Sequence, residues 1–416
     1  MLSVQVAEDL ILNAIHPPQE GETVALAAAL GRVLAQPVTS PGDLPPWDNS
    51  AMDGYAVRSA CALSPDVQSC PVTLQVVEEI AAGQVPRHQL QPGEAARIFT
   101  GAMVPPGADA IAIQEETQRE GDRVTLLNPP QPGFIRKQGS YCRQGDVILP
   151  AGTRIGPAEM AVLATVQALS LSVYPQPKVA IFSTGNELIP PDATLQPGQI
   201  IDSNQWALIA AVAQMGAIPI PLGIVPDQPD AIRAKMAAVI RSSAPIAQAD
   251  LVLSTGGVSV GDYDYVERLL EELGGDIQIR SVAIKPGKPL TVAAFPQCLY
   301  FGIPGNPVSA LVTFWRFIAP ALRKWAGLSG PWGPQWVEGR SPQTLKADGK
   351  RETYLWGQLH WPQGRPEFHP APGGHNSGNL INLACTNSFA VLPVGVREIP
   401  AGEPVQIMVL SSNQGG

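Results

Sequence analysis

The sequence predicts a multidomain chain of the α/β plus β class, and three observations carry that reading. Between residues 176 and 326, short β-rich apolar runs alternate with helical periodicity, the pattern of a mostly parallel sheet covered on both faces. From about 53 to 140, strand-like runs are punctuated by Gly and Pro, which suggests an antiparallel or barrel-like unit. After Gly327 helical periodicity disappears, which predicts a small all-β C-terminal domain.

The elements follow in chain order. Ser3 can cap a helix whose apolar residues Val4, Ala7, Ile11 and Ala14 recur at helical spacing until Pro17 and Pro18 stop it. Leu26, Leu30, Val33 and Leu34 fit a second helix, and a proline-rich link spans 41–47. Val72, Leu74 and Val76 alternate as in a half-buried strand. Residues 145–152 read as a strand and turn, and the Ala-rich stretch 157–171 as a helix. A strand over 178–182 ends in Ser183-Thr184-Gly185; a helix over 204–215 follows, with Asp202 or Ser203 as its cap. Next come a strand over 218–225, a helix over 229–241, a strand over 251–253 and a further helix. A strand over 299–303 leads through the turn Pro304-Gly305-Asn306-Pro307 into a long helix ending at Trp325. Residues 354–356, 388–392 and 405–410 read as strands of the last region.

Composition narrows the function classes. At 45% hydrophobic and 15% charged residues, the chain has the apolar content of a packed protein, not of a disordered one. A net charge of −9 argues against a general nucleic-acid or anionic membrane surface, so any anion site must be local. No apolar run approaches the ~18 residues of a membrane span. The first residues carry no basic, apolar leader, so a cytoplasmic location is expected. Cys61, Cys70, Cys142, Cys298 and Cys385 are odd in number and form no CxxC pair, which argues against a disulfide framework or a structural zinc site. The histidines form no HExxH pair, and a Walker A motif is absent from the sequence.

Ligands of open parallel sheets sit beyond the carboxyl ends of the strands. Here those ends carry Ser183 to Glu187, Asp227, the run STGGVSVG (254–261) and Pro304-Gly305-Asn306-Pro307. Glycines let backbone N–H groups approach an anion, and three such turns on one sheet edge favour a phosphate or oxyanion cradle over plain tight turns. Lys285 and Lys288 stand three apart on a Pro/Gly frame, a fixed pair of ammonium groups suited to the same ligand class. Asp262 and Asp264, with Glu187 and Asp227, offer hard oxygen ligands for Mg²⁺ beside a phosphate, although Asp262 or Asp264 could equally cap a helix. The polar segment 48–57 and the segment 97–102 have the composition of loops that line sites.

Six segments, in this order, resemble the MoeA family of molybdopterin molybdenumtransferases, which includes the E domain of gephyrin. They are SAMDGYAV (50–57), RIFTGA (97–102), STGNEL (183–188), STGGVSVGDYDY (254–265), AIKPGKP (283–289) and GIPGNPVSA (302–310). The resemblance spans nearly the whole chain. It implies a discontinuous helical linker domain (1–52 and 141–175), a β-rich domain (53–140), an α/β molybdopterin-binding domain (176–326) and a C-terminal β-barrel (327–416). It implies a homodimer and a reaction in which adenylylated molybdopterin, molybdate and Mg²⁺ yield molybdenum cofactor and AMP. An adenylyltransferase and cofactor-free molybdoenzymes are the implied further partners. Glu187, Asp227 and Asp264 would serve the cation and phosphate chemistry. Lys285, Lys288, Pro289, Ser309, Arg351 and Ser377 would bind the oxyanion. Gly256, Gly257, Ser259, Pro304, Gly305 and Asn306 would cradle the substrate, and Asp53 and Thr100 would come from the partner subunit. Pro226-Asp227-Gln228-Pro229 departs from the usual pattern, which bears on the geometry around Asp227. The alternatives are a non-catalytic dimeric scaffold and a molybdopterin adenylyltransferase. The full set of acidic and basic site residues argues against the first, and the three modules around the α/β region against the second.

Overall fold

A computed structural model describes residues 1–59, 71–240, 249–256 and 263–410, with only the backbone described at 263–265. The chain splits into two compact units. One comprises Met1–Gln36, Ala151–Pro157 and Ser170–Gly416; the other comprises Pro37–Pro150 and Ala158–Leu169.

The larger unit is built on a six-stranded sheet. Its order is Ile218–Val225, Lys178–Thr184, Leu251–Thr255, Leu299–Ile303, Thr291–Ala294, Asp276–Ile279. The first four strands run parallel; Thr291–Ala294 is antiparallel to both its neighbours. Alternation along the strands explains the double cover. Val179 and Ile181 join the core beneath helices Ser203–Gln214 and Pro307–Thr313, whereas Ala180 and Phe182 join the core beneath Pro229–Ile240 and Tyr263–Glu272. Asp202 is the N-cap of Ser203–Gln214, its carboxylate accepting from Gln205 N. The long helix of this unit is continuous through Trp325 but contains a π-helical segment, Phe314–Ile318.

The C-terminal region closes into a five-stranded barrel. Glu352–His360, Glu367–Pro370, Gln335–Arg340, Pro404–Val409 and Ser388–Leu392 follow one another, and the last pairs back with the first. Tyr354, Trp356 and Phe389 of the barrel share one apolar cluster with the α/β sheet. A short strand, Ile284–Lys285, leaves the α/β region and pairs with barrel strand Glu352–His360.

The smaller unit contains a six-stranded sheet in the order Ala110–Ile113, Gly54–Val57, Glu94–Ile98, Val72–Ile80, Arg123–Leu126, Thr117–Glu120. It is an open, mixed sheet, not a barrel or a purely antiparallel one. Val72–Ile80 runs parallel to Glu94–Ile98 because the 13-residue connection between them is long enough to cross over.

Two helical expectations need correction. Leu26 to Leu34 is not a helix. Leu26–Ala28 makes one 3₁₀ turn, Gly31 takes φ 79°, and Gly31 N and Leu34 N donate to Ile155 O and Thr153 O. Strand-like pairing with distant backbone outweighs the local periodicity. The helix at 157–171 stops at Thr165, after which Gln167 takes φ 55° and Ser170–Val173 pairs with Glu22–Ala25. The N-terminal helix Val4–Ala14 forms as expected, with Ser3 Oγ accepting from Val6 N. Among the described residues no helix is long and apolar enough to cross a membrane.

Candidate functional site

Two cavities in the larger unit hold most of the residues singled out by sequence. The first, of about 410 Å³, lies at the carboxyl ends of the parallel strands. It is lined by Thr184, Gly185 and Glu187, by Asp227, by Thr255 and Gly256, and by Pro304, Gly305 and Asn306. Backbone packing explains the glycines. Gly256 sits at φ 91°, and a Cβ there would collide with the Thr184 carbonyl oxygen. A Cβ on Gly305 would lie 3.4 Å from Gly256 Cα. Strand ends therefore stack main chain on main chain, which leaves backbone groups facing the cavity.

Asn204 ties these ends together. Its Nδ2 donates to Thr255 Oγ1 at 2.8 Å and to Gly305 O at 2.6 Å, and Thr255 Oγ1 donates to Pro304 O at 3.2 Å. Asn186 Oδ1 accepts from Asp227 N at 3.0 Å, so the loops carrying Glu187 and Asp227 are joined. Among the described residues no group of three or more His, Cys, Asp or Glu is arranged to hold a metal. Two carboxylates on one cavity nevertheless match what Mg²⁺ takes from a protein when substrate phosphates complete its shell. Gly257, Ser259 and Asp262 lie outside the described residues, as does the side chain of Asp264.

The second cavity, of about 450 Å³, adjoins the first and shares Pro289 and Asn306 with it. Lys285, Lys288, Ser309, Arg351 and Ser377 all line it, although the last two come from the barrel region. Pairing of Ile284 with Glu352 and Lys285 with Thr353 brings the lysine segment to the barrel strand. Gly287 is required at φ 113°, where a Cβ would stand 2.9 Å from Thr313 Oγ1. Asn306 Nδ2 donates to Ser377 Oγ at 3.3 Å, and Val308 N donates to Ser377 O at 3.2 Å, so the loop bearing Ser377 is docked on the start of the long helix.

Sequence reasoning missed two members of this cavity and the acidic partner of its Lys285. Lys346 and His375 line it. Asp348 binds Lys285, Nζ to Oδ2 being 3.0 Å, and its Oδ1 accepts from Lys350 N at 2.9 Å. Lys285 and then the Lys350 N–H hold the Asp348 carboxyl below the usual carboxylate range. His375 packs edge-on against Trp356 with ring centroids 4.4 Å apart, and its Nε2 meets Trp356 O at 2.9 Å. Burial lowers the His375 pKa, partly offset by that hydrogen bond. These residues stand in no short motif: Lys346 ends the short strand Leu345–Lys346, and Asp348 and His375 lie in loops of the C-terminal region.

Asp53 and Thr100 belong to the smaller unit, and the structure brings them together. Thr100 N and Oγ1 both donate to Asp53 Oδ1 at 2.7 Å. Those two bonds hold the Asp53 carboxyl low. Strand Gly54–Val57 pairs with Glu94–Ile98, and Arg97, between the rings of Tyr55 and Phe99, donates to Gly54 O at 3.1 Å.

Family models match most of the chain. The MoeA N-terminal region (domain I and II) matches residues 2–166, a "Probable molybdopterin binding domain" matches 180–324, and the MoeA C-terminal region (domain IV) matches 338–410. A Nostoc sp. protein named molybdopterin molybdenumtransferase is 52% identical over 417 residues, covering 99% of this chain and 94% of the relative. A Bacillus subtilis protein of the same name is 33% identical over 415 residues, covering 98% and 94%. The crystal structure of the molybdopterin biosynthesis moeA protein from Pyrococcus horikoshii is 28% identical, covers 98% of this chain and 100% of that one, and superposes with a TM-score of 0.82.

Proposed function

The chain belongs to the MoeA family and is a molybdenumtransferase acting on molybdopterin in cofactor biosynthesis; from that premise we propose that its substrates are adenylylated molybdopterin and molybdate, with Mg²⁺ as cofactor and AMP as leaving product. The observation that carries the reading is the adjacency of two unlike cavities, one lined by glycine-rich strand ends and carboxylates, the other by lysines and Arg351.

Gly256, Gly257, Ser259, Pro304, Gly305 and Asn306 cradle the phosphate-bearing substrate. Lys285, Lys288, Arg351, Ser309 and Ser377, with Pro289 beside them, hold molybdate next to it. Glu187, Asp227 and Asp264 are the residues that would hold Mg²⁺, which when bound neutralises charge on the phosphoanhydride. Water cleaves that anhydride and AMP leaves; the two dithiolene sulfurs then replace one oxo group of molybdate, which departs as water with the two thiol protons. The protein's contribution is electrostatic: fixed cations face the charge that the reacting groups carry. In this reading the enzyme is a homodimer, and Asp53 and Thr100 of the partner subunit complete the site.

The test is a defined conversion with purified protein, adenylylated molybdopterin, Mg²⁺ and molybdate. AMP release that depends on molybdate, together with activation of a cofactor-free molybdoenzyme, is expected. Lys285→Ala with Lys288→Ala should weaken molybdate binding at least tenfold by calorimetry; unchanged affinity would remove the lysines from the site.

A further inference from the structure

A carboxylate stands against two of the cations that line the lysine cavity. Lys285 Nζ is 3.0 Å from Asp348 Oδ2, and Arg351 Nη2 lies 3.9 Å from the same oxygen. The other carboxylate oxygen is fixed independently, by the Lys350 N–H at 2.9 Å. Asp348 is thus anchored to its own loop and presents its free oxygen to two of the cations that line the cavity. An oxyanion arriving at Lys285 and Arg351 meets a carboxylate already there. It must displace the carboxylate from the lysine or bind beside it against like-charge repulsion, and either route lowers its affinity.

We propose that Asp348 is a resident counter-ion of this cavity, a positioning residue that competes with the substrate oxyanion for Lys285 and keeps it weakly held. This inference rests on the reading of the cavity as an oxyanion site. Weak holding has a chemical purpose: binding the ground state more tightly does not speed the step in which the oxyanion leaves the lysines. Lys285 and Asp348 are 63 residues apart, so only the docking of strand Ile284–Lys285 on the barrel creates the pair.

Calorimetric titrations of Asp348→Asn with molybdate, sulfate and nitrate test the idea. The variant keeps an oxygen for the Lys350 N–H and removes only the charge. Dianion affinity should rise about tenfold and nitrate affinity about threefold, since Coulomb energy scales with ligand charge. Asp348→Glu, which restores the carboxylate, should return both toward wild type. Loss of a merely structural contact would weaken binding, not strengthen it in proportion to charge. Unchanged or weaker dianion binding in Asp348→Asn, or equal gains for sulfate and nitrate, overturns the counter-ion. Lys285→Ala with Lys288→Ala separates the two claims. If that variant binds molybdate as wild type does, the oxyanion reading falls and takes the counter-ion with it. If it loses molybdate while Asp348→Asn gains nothing, only the counter-ion falls.

Discussion

Replacing Arg316 with Met should destabilise the larger unit more than any surface change. Arg316 lies in the π-helical segment of the long helix, its side chain only 5% exposed. Its Nη2 donates to Glu8 Oε2 at 2.9 Å, and Nη1 stands 2.6 Å from Glu8 Oε1. Nε donates to Tyr354 Oη at 3.0 Å, and that hydroxyl donates to Glu352 Oε1 at 2.6 Å. One guanidinium thus links the N-terminal helix, the long helix and the barrel strand that meets Lys285. Its removal leaves the Glu8 carboxylate, with 10% side-chain exposure, charged and without its partner. Breaking a buried pair from one side costs about 3–5 kcal/mol. Each ~1.4 kcal/mol is a factor of ten, so the folding constant should fall by about two to four orders of magnitude. Glu8→Gln combined with Arg316→Met removes both charges and should recover about 2 kcal/mol or more of that loss. Urea unfolding followed by far-UV circular dichroism measures both. A cost below about 1 kcal/mol for Arg316→Met, or a double variant no more stable than the single, would refute a buried ion pair as the link.

Two further outcomes are expected. Gly256→Ala should abolish substrate binding while leaving the circular dichroism spectrum intact, because its Cβ would collide with the Thr184 carbonyl oxygen on the cavity wall; near-normal binding would mean the strand-end cradle is not where the substrate sits. His375 has its pKa depressed by burial from the ordinary 6.5, so below that value the unfolded chain takes up the proton first and stability falls with pH. His375→Gln should remove this loss as pH falls from about 6.5 toward 5, and parallel stability profiles for variant and wild type would contradict it.

The central sheet was legible because parallel strands buried on both faces read as bare apolar runs. The fully buried strand Leu299–Ile303 falls on the residues that the pattern predicts, and so does the more exposed edge strand Ile218–Val225. Thr291–Ala294 and Asp276–Ile279 were not legible, since both are four residues long and no helix separates them from each other or from Leu299–Ile303. The periodicity of Leu26 to Leu34 misled for a complementary reason: backbone pairing with Thr153 and Ile155 is a long-range contact that local spacing does not encode.

The site divides in the same way. The residue types of Glu187, Asp227, Lys285, Lys288 and the glycines, and the ligand classes those types favour, were legible in the sequence alone, because each stands in a short motif. Which of them share a cavity was decided only by tertiary structure. Parallel order of the strands placed Thr184, Thr255 and Pro304 side by side, and pairing of Ile284–Lys285 with the barrel carried Lys285 to Arg351 and Asp348. Side-chain identity is a local property, whereas the field at a cavity is a sum over charges that the chain brings together from distant positions.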